Sequence, residues 1–186
     1  MIETVVSMGL AVDEAMEIRK NHLAPKVLTG KEKRICIVTG THGDELEGQY
    51  VCYEIIRRIN ENPSCLKGIV DVYPATNPLG VDCMTRGVPM FDLDLNRIFP
   101  GNEHGHMAEY AASKIIEDIA GADVCIDIHA SNVFLREIPQ VRINEQTVDT
   151  LLPLAKELNV DYIWIHAAAT VLESTLAYSL NVRNTP

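Results

Sequence analysis

Short apolar runs of strand character alternate along this chain with segments of helical spacing, and that alternation limits the folds open to it. Residues 34–39 (RICIVT), 68–73 (GIVDVY), 123–128 (DVCIDI) and 161–165 (DYIWI) read as strands. Between the first two, 45–59 (ELEGQYVCYEIIRRI) carries apolar residues at Leu46, Val51, Ile55, Ile56 and Ile59. That spacing predicts a helix with a solvated Glu/Arg face. Helical spacing returns at about 105–120, 146–158 and 172–182, and 139–143 reads as a further short strand. Strands alternating with helices predict an α/β fold, a three-layer αβα arrangement with a mostly parallel or mixed central sheet. Residues 2–8 suit an added edge strand; the rest of the first 30 residues gives no clear pattern. A chain of 186 residues fills one core, so 1–186 is expected to be a single domain.

Sheets of this kind bind ligands beyond the C-terminal ends of their strands. The polar motifs follow that rule. TGTHGDELEG (39–48) comes directly after the first strand, and His129 of CIDIHAS directly after the third. His42 and Glu45 lie three residues apart, about one turn, so both side chains can reach one point. Gly40 and Gly43 let the backbone turn tightly there. Two histidines and a glutamate form a catalytic zinc set that leaves a fourth position for water. Asp127 shares a strand face with His129 and is placed to orient it. A lone H-x-x-E also fits the start of a helix with a surface histidine, and His129 alone fits a structural histidine at a strand end. On residues alone, both readings stay open. His104, His106 and His166 read as surface or structural residues, and His22 as unremarkable.

Residues 74–103, rich in Pro, Gly and Asn, read as a long loop, and loops of that length inside compact domains tend to be functional. Arg86 and Arg97 stand out there in an acidic protein. A guanidinium can grip a carboxylate with two parallel hydrogen bonds or steady an oxyanion. Asn96 adds an amide beside Arg97. The competing reading is an ion-pair network with Asp92 and Asp94 that pins the coil.

With 26 acidic against 16 basic residues the net charge is −10, which argues against nucleic acid and against an anionic membrane surface as partners. Five cysteines without a C-x-x-C pair fit reduced thiols in a cytoplasmic protein. The N-terminus has no basic region ahead of an apolar run, and no run is long enough for a membrane span.

The set HGDE, R-G-V-P, DLNRIFPG and DIHAS, in that order, resembles the succinylglutamate desuccinylase/aspartoacylase family of the broader zinc carboxypeptidase group; the resemblance covers roughly residues 34–186. It implies a zinc-dependent exopeptidase-like fold and hydrolysis of the amide bond of an N-acyl amino acid or similar small carboxylate. His42, Glu45 and His129 match the family's zinc ligands, for one Zn²⁺ per chain. Arg86 matches the arginine that polarises the scissile carbonyl, and Asn96 with Arg97 the pair that holds the substrate's carboxylate. The pattern continues through Phe134 and Pro139. The family's general base is a glutamate on a strand that follows a stretch like NVRNTP, beyond Pro186, so the chain reads as truncated at its C-terminus relative to that pattern. Glu173 does not occupy the family position. This predicts that zinc binding survives and turnover is very low, and that an exposed sheet edge invites pairing between chains. A peptide-cleaving zinc carboxypeptidase shares every residue named above. A non-catalytic zinc-binding module and an α/β domain without metal are the other readings.

Overall fold

The structure, a computed structural model, describes residues 1–89, 91–167 and 173–186. Its centre is a five-stranded sheet. Strand β3 (Arg34–Val38) lies between β4 (Ile69–Tyr73) and β5 (Val124–Asp127) and runs parallel to both. Strands β1 (Ile2–Gly9) and β2 (Ala15–Leu23) form an antiparallel hairpin, and β2 pairs antiparallel with β4, which gives the order β1-β2-β4-β3-β5. The sheet is therefore mixed.

Alternation along β3 sends Ile35 and Ile37 to one face and Cys36 and Val38 to the other. Helix α1 (Glu47–Glu61) covers the first face, where Cys52, Ile55, Ile56 and Ile59 share one apolar cluster with Ile35, Ile37, Val70 and Val72. Helix α3 (Met107–Ile119) covers the second, burying Ala111, Ala112, Ile115, Ile116 and Ile119 with Cys36, Val38, Tyr73 and Ile18. Each fully buried Ile contributes roughly 1.5–3 kcal/mol relative to exposure. Helix α5 (Leu176–Asn181) joins that second cluster through Leu176 and Leu180. Helices on both faces make the expected three layers.

The structure departs from the expected elements in several places. Strand β2 was not anticipated: Met16, Ile18, Lys20 and Leu23 are its buried positions, and the lysine interrupts the apolar alternation. Lys20 Nζ bonds Asp118 at 2.8 Å, while Asp71 accepts His22 Nδ1 at 2.7 Å and Arg34 Nε at 2.8 Å, so His22 is part of a buried ionic network. Helix α1 begins at Glu47, two residues late, because residues 41–46 form the turn that carries the polar motif. The stretch 74–103 is not a single loop. It contains α2 (Pro78–Cys83), capped by the Asn77 side chain on Gly80 N and started by Pro78, and a 3-10 turn at Leu95–Arg97. Helix α4 (Val148–Ala155) is shorter than the expected 146–158 and contains Pro153. The helix expected at 172–182 starts at Leu176; its expected first residue lies outside the described residues.

Strands β6 (Gln140–Asn144) and β7 (Tyr162–His166), joined through α4, form a separate two-stranded parallel sheet instead of extending the main one. At the outer edge of β5, Cys125 N donates to Pro186 O at 2.7 Å.

Candidate metal centre

Beyond Val38 the chain crosses the C-terminal edge of the sheet in a tight path held at several points. Gly40 has φ +67°, and a Cβ there would meet Ala75 Cα at 2.8 Å. Gly43 donates its N–H to Thr85 O at 2.9 Å, and a Cβ on it would lie 2.0 Å from the Gly80 backbone. Thr41 and Thr76 pair through their hydroxyls at 3.0 Å, and Asn77 Nδ2 donates to Gly87 O at 3.1 Å. This packing fixes His42 and Glu45, which are only 3% and 6% exposed. His129 arrives from the neighbouring strand. The β3–β5 register sets Val38 beside Asp127, so both chains deliver their next polar residues to one place.

The three side chains meet there. His42 Nδ1 lies 2.6 Å from Glu45 Oε1, His129 Nδ1 lies 3.0 Å from Glu45 Oε2, and the two Nδ1 atoms are 3.2 Å apart. One donor atom from each residue falls within 4.8 Å of the others. The far side of each ring is engaged by a carboxylate: His42 Nε2 at 2.9 Å from Asp94 Oδ1, His129 Nε2 at 3.0 Å from Asp127 Oδ2. An ionised carboxylate only accepts, so each Nε2 carries the hydrogen. Both Nδ1 atoms then face each other and the Glu45 carboxylate. Such an arrangement needs a cation at its centre, either protons or a metal ion. Two imidazoles and a carboxylate, with carboxylates behind the rings, suit a metal.

The electrostatics agree. The Asp127 charge, with hydrogen bonds to Asp127 and Glu45, pushes His129 up to about 10 although burial opposes it. Burial would raise Glu45, but hydrogen bonds from His129, His42 and the Ala130 N–H outweigh it and hold the carboxyl far below the usual range. Asp94 is likewise lowered: burial opposes the shift, and the His42 hydrogen bond and nearby positive charges prevail.

Arg86 lies over this cluster. Its Nη1 donates to Glu45 Oε1 at 3.3 Å and its Nη2 to Asp94 Oδ2 at 3.1 Å, with the side chain half exposed. Asn96 is buried; its Oδ1 accepts Leu176 N at 2.9 Å and its Nδ2 touches His129 Nε2 at 3.3 Å. Arg97 is exposed, donates to Asn96 O at 2.8 Å, and pairs with no carboxylate among the described residues. The other histidines stand apart. His106 caps α3 in a reciprocal pair with Glu109 and stacks on Phe91 at 5.2 Å, and His166 lies edge-on to Trp164 at 5.9 Å. Glu173 is exposed, in the turn before α5, and Phe134 is 89% exposed. Sequence reasoning placed Asp94 only in an ion-pair network with the loop arginines; it did not foresee the contact with His42.

A mixed α/β sheet with a two-histidine, one-glutamate donor cluster at the C-terminal ends of its parallel strands defines an α/β domain with a metal-type centre. The model of the succinylglutamate desuccinylase/aspartoacylase catalytic domain matches residues 31–181, and the chain belongs to that family. It is 29% identical over 114 residues to the N-alpha-acetyl-L-2,4-diaminobutyric acid deacetylase of Halomonas elongata, covering 61% of this chain and 33% of that protein. Its fold is similar to a succinylglutamate desuccinylase/aspartoacylase from Rhodobacter sphaeroides, with TM-score 0.81, 21% identity, and coverage of 99% of this chain and 55% of that one. It is also similar to the product-bound ectoine utilization protein of Ruegeria pomeroyi, with TM-score 0.78, 18% identity, and coverage of 97% and 55%. The chain thus spans a third of the curated relative and just over half of these two structures.

Proposed function

We propose that this chain carries the zinc-binding core of a deacylase that hydrolyses the amide bond of an N-acyl amino acid or a similar small carboxylate. The observation that carries the reading is the convergence of one ligand atom each from His42, Glu45 and His129, with Asp94 and Asp127 behind the two rings. These three residues would hold one Zn²⁺ per chain. When bound, zinc supplies Lewis acidity at the carbonyl and a water acidic enough to provide a nucleophile near neutral pH.

The chain's own residues do the rest. Arg86, half exposed beside Glu45, is placed to meet the negative charge that develops on the substrate oxygen. Arg97, which pairs with no carboxylate among the described residues, is placed to offer its guanidinium to the substrate's carboxylate. Asn96 spends its Oδ1 on Leu176 N, so only its Nδ2 is left to face a ligand. The family pattern places the proton-accepting glutamate on a strand that follows a stretch like NVRNTP, and Glu173, exposed in the turn before α5, does not occupy that position.

Metal analysis of the purified chain tests the centre, and the expected result is one zinc per chain, reduced sharply by His129→Ala. Unchanged stoichiometry in that variant removes His129 from the site. A panel of N-acyl amino acids beside short peptides tests the substrate class; a preference for peptides overturns the deacylase reading in favour of a carboxypeptidase. Among the described residues no helix is long and apolar enough to cross a membrane. All five cysteines are free, which supports a reducing, cytoplasmic setting. The outer edge of β5 is the surface through which copies of the chain would pair. A monomer at all concentrations in sedimentation removes that proposal.

A further inference from the structure

Residues 133–138, VFLREI, follow His129 closely in the chain and are exposed throughout. Val133, Phe134, Leu135 and Ile138 are each more than half exposed. A turn holds the start of the segment: Phe134 N donates to Asn132 Oδ1 at 3.0 Å and Leu135 N to Asn132 O at 3.1 Å. Beyond its end, Pro139 O accepts Asp161 N at 3.0 Å ahead of β7. The apolar side chains are thus displayed on a segment tied at both ends. Tyr162, more than half exposed and in register with Gln140, stands next to Pro139 and extends the surface. We propose that this face docks a second copy of the chain.

Area and charge select that occupant. The four aliphatic and aromatic side chains of the segment present on the order of 500 Å² of apolar surface, at the upper end of what a monomer exposes in one patch. Two copies closing through it, with the flanking Tyr162, Arg136 and Glu137, would bury about 1,200 Å² in total, enough for a specific interface. Arg136 and Glu137 sit inside the segment, both exposed, and neither pairs with another charge among the described residues. In a twofold contact residue i meets j and j meets i. Arg136 of one copy set against Glu137 of the other therefore occurs twice, and a patch carrying both signs side by side is its own complement. A partner of one dominant charge would leave Arg136 or Glu137 desolvated and unpaired, which is costly. The net charge of −10 disfavours an anionic bilayer. The face is separate from the outer edge of β5, where Pro186 O already takes the Cys125 N–H. The contact needs no metal, so it stands or falls apart from the zinc reading. It borders the metal centre, since the segment continues from Ala130, whose N–H donates to Glu45 Oε2 at 2.8 Å.

Sedimentation equilibrium of the chain and its variants tests the contact. Wild type forms a dimer. Arg136→Glu and Glu137→Arg each set like charges across the axis twice and weaken the dimer about tenfold or more. The exchange of both, Arg136→Glu with Glu137→Arg, keeps the net charge and restores affinity to within about threefold of wild type. Phe134→Ser, at a side chain the fold does not bury, weakens the dimer as well. Lys31→Glu makes the same charge change at another exposed position and leaves the dimer as in wild type. Wild-type protein that stays monomeric at all concentrations overturns the proposal, and so does an exchange variant no better than the single variants. A dimer that persists in both Arg136→Glu and Phe134→Ser belongs to the outer edge of β5 and overturns it too. A monomer that co-sediments with phosphatidylcholine vesicles overturns it in favour of a lipid surface.

Discussion

Gly43 separates the two residues of the motif that the metal centre needs, and the structure shows how little freedom it has. A Cβ there would lie 2.0 Å from both the carbonyl carbon and the oxygen of Gly80, and 2.4 Å from Val81 N. Real Cβ atoms do not approach within 3.0 Å, so Gly43→Ala forces the two backbones apart by about 1 Å or more. The obstacle is backbone of α2, which cannot rotate away as a side chain would. Overpacking of this kind costs about 1–3 kcal/mol, and a backbone-on-backbone clash belongs at the upper end. For a domain of this size each kcal/mol moves Tm by roughly 2–4 °C, so a fall of about 6–12 °C is expected. The displacement also opens the turn between His42 and Glu45, so zinc affinity falls with stability. Thermal melts by circular dichroism, with and without excess zinc, measure both. Gly9→Ala is the control, because nothing lies within 4 Å of its added Cβ. A Gly43→Ala protein melting within about 2 °C of wild type, with undiminished zinc binding, refutes the claim that this contact builds the site.

Ile115, wholly buried under the sheet, anchors α3; Ile115→Ala should cost about 2–5 kcal/mol, read as the shift in urea midpoint at constant slope. The Asp71 network gives a pH signature. Burial alone would raise Asp71, but Arg34, His22 and Lys20 hold it below its ordinary 3.8. The unfolded chain therefore takes up that proton first, so the stability Asp71 contributes is complete above the unfolded value and is lost as pH falls through the folded one. Asp71→Asn should be less stable at neutral pH and should show a shallower acid limb in pH-dependent melts; an identical slope to wild type between about pH 5 and pH 2 removes Asp71 as its source.

Much of the site was legible because its pieces obey short-range rules. His42 and Glu45 share one turn, and Asp127 and His129 share one strand face. Their meeting needed only that the first and third predicted strands be parallel neighbours, which β3 and β5 are. Asp94 was harder, because a residue in irregular backbone has no period to say where its side chain points. Strand β2 was hidden for a different reason: Lys20 occupies an inward position, and the residue that makes this tolerable, Asp118, is distant in sequence. Helix α2 escaped because its N-P opening and central Gly80 read as turn chemistry, although Asn77 and Pro78 are there as helix cap and first turn.

Two clusters of charge sit in this fold, and their balance explains why one is a structural lock and the other a site. Around Asp71 and Asp118 the chain supplies its own cations: Lys20 reaches both carboxylates, Arg34 binds Asp71, and His22 adds a hydrogen bond. Each charge there finds a partner, so the network closes on itself and ties the hairpin, the central strands and α3 together. Around His42 the sum is different. Glu45, Asp94 and Asp127 bring three carboxylates, and among the described residues the one permanently charged side chain bonded to any of them is the half-exposed Arg86. The histidines turn their Nε2 atoms to Asp94 and Asp127 and their inner nitrogens to Glu45, and any charge they bring is lost when they give up a proton. A buried cluster short of positive charge is costly unless something external supplies it. The fold accepts that cost at the strand ends, where a ligand can reach, and avoids it under α3, where none can. The same difference predicts the response to added zinc: stabilisation should vanish in His129→Ala and persist in Asp71→Asn, and equal stabilisation of both variants would mean that the metal binds elsewhere.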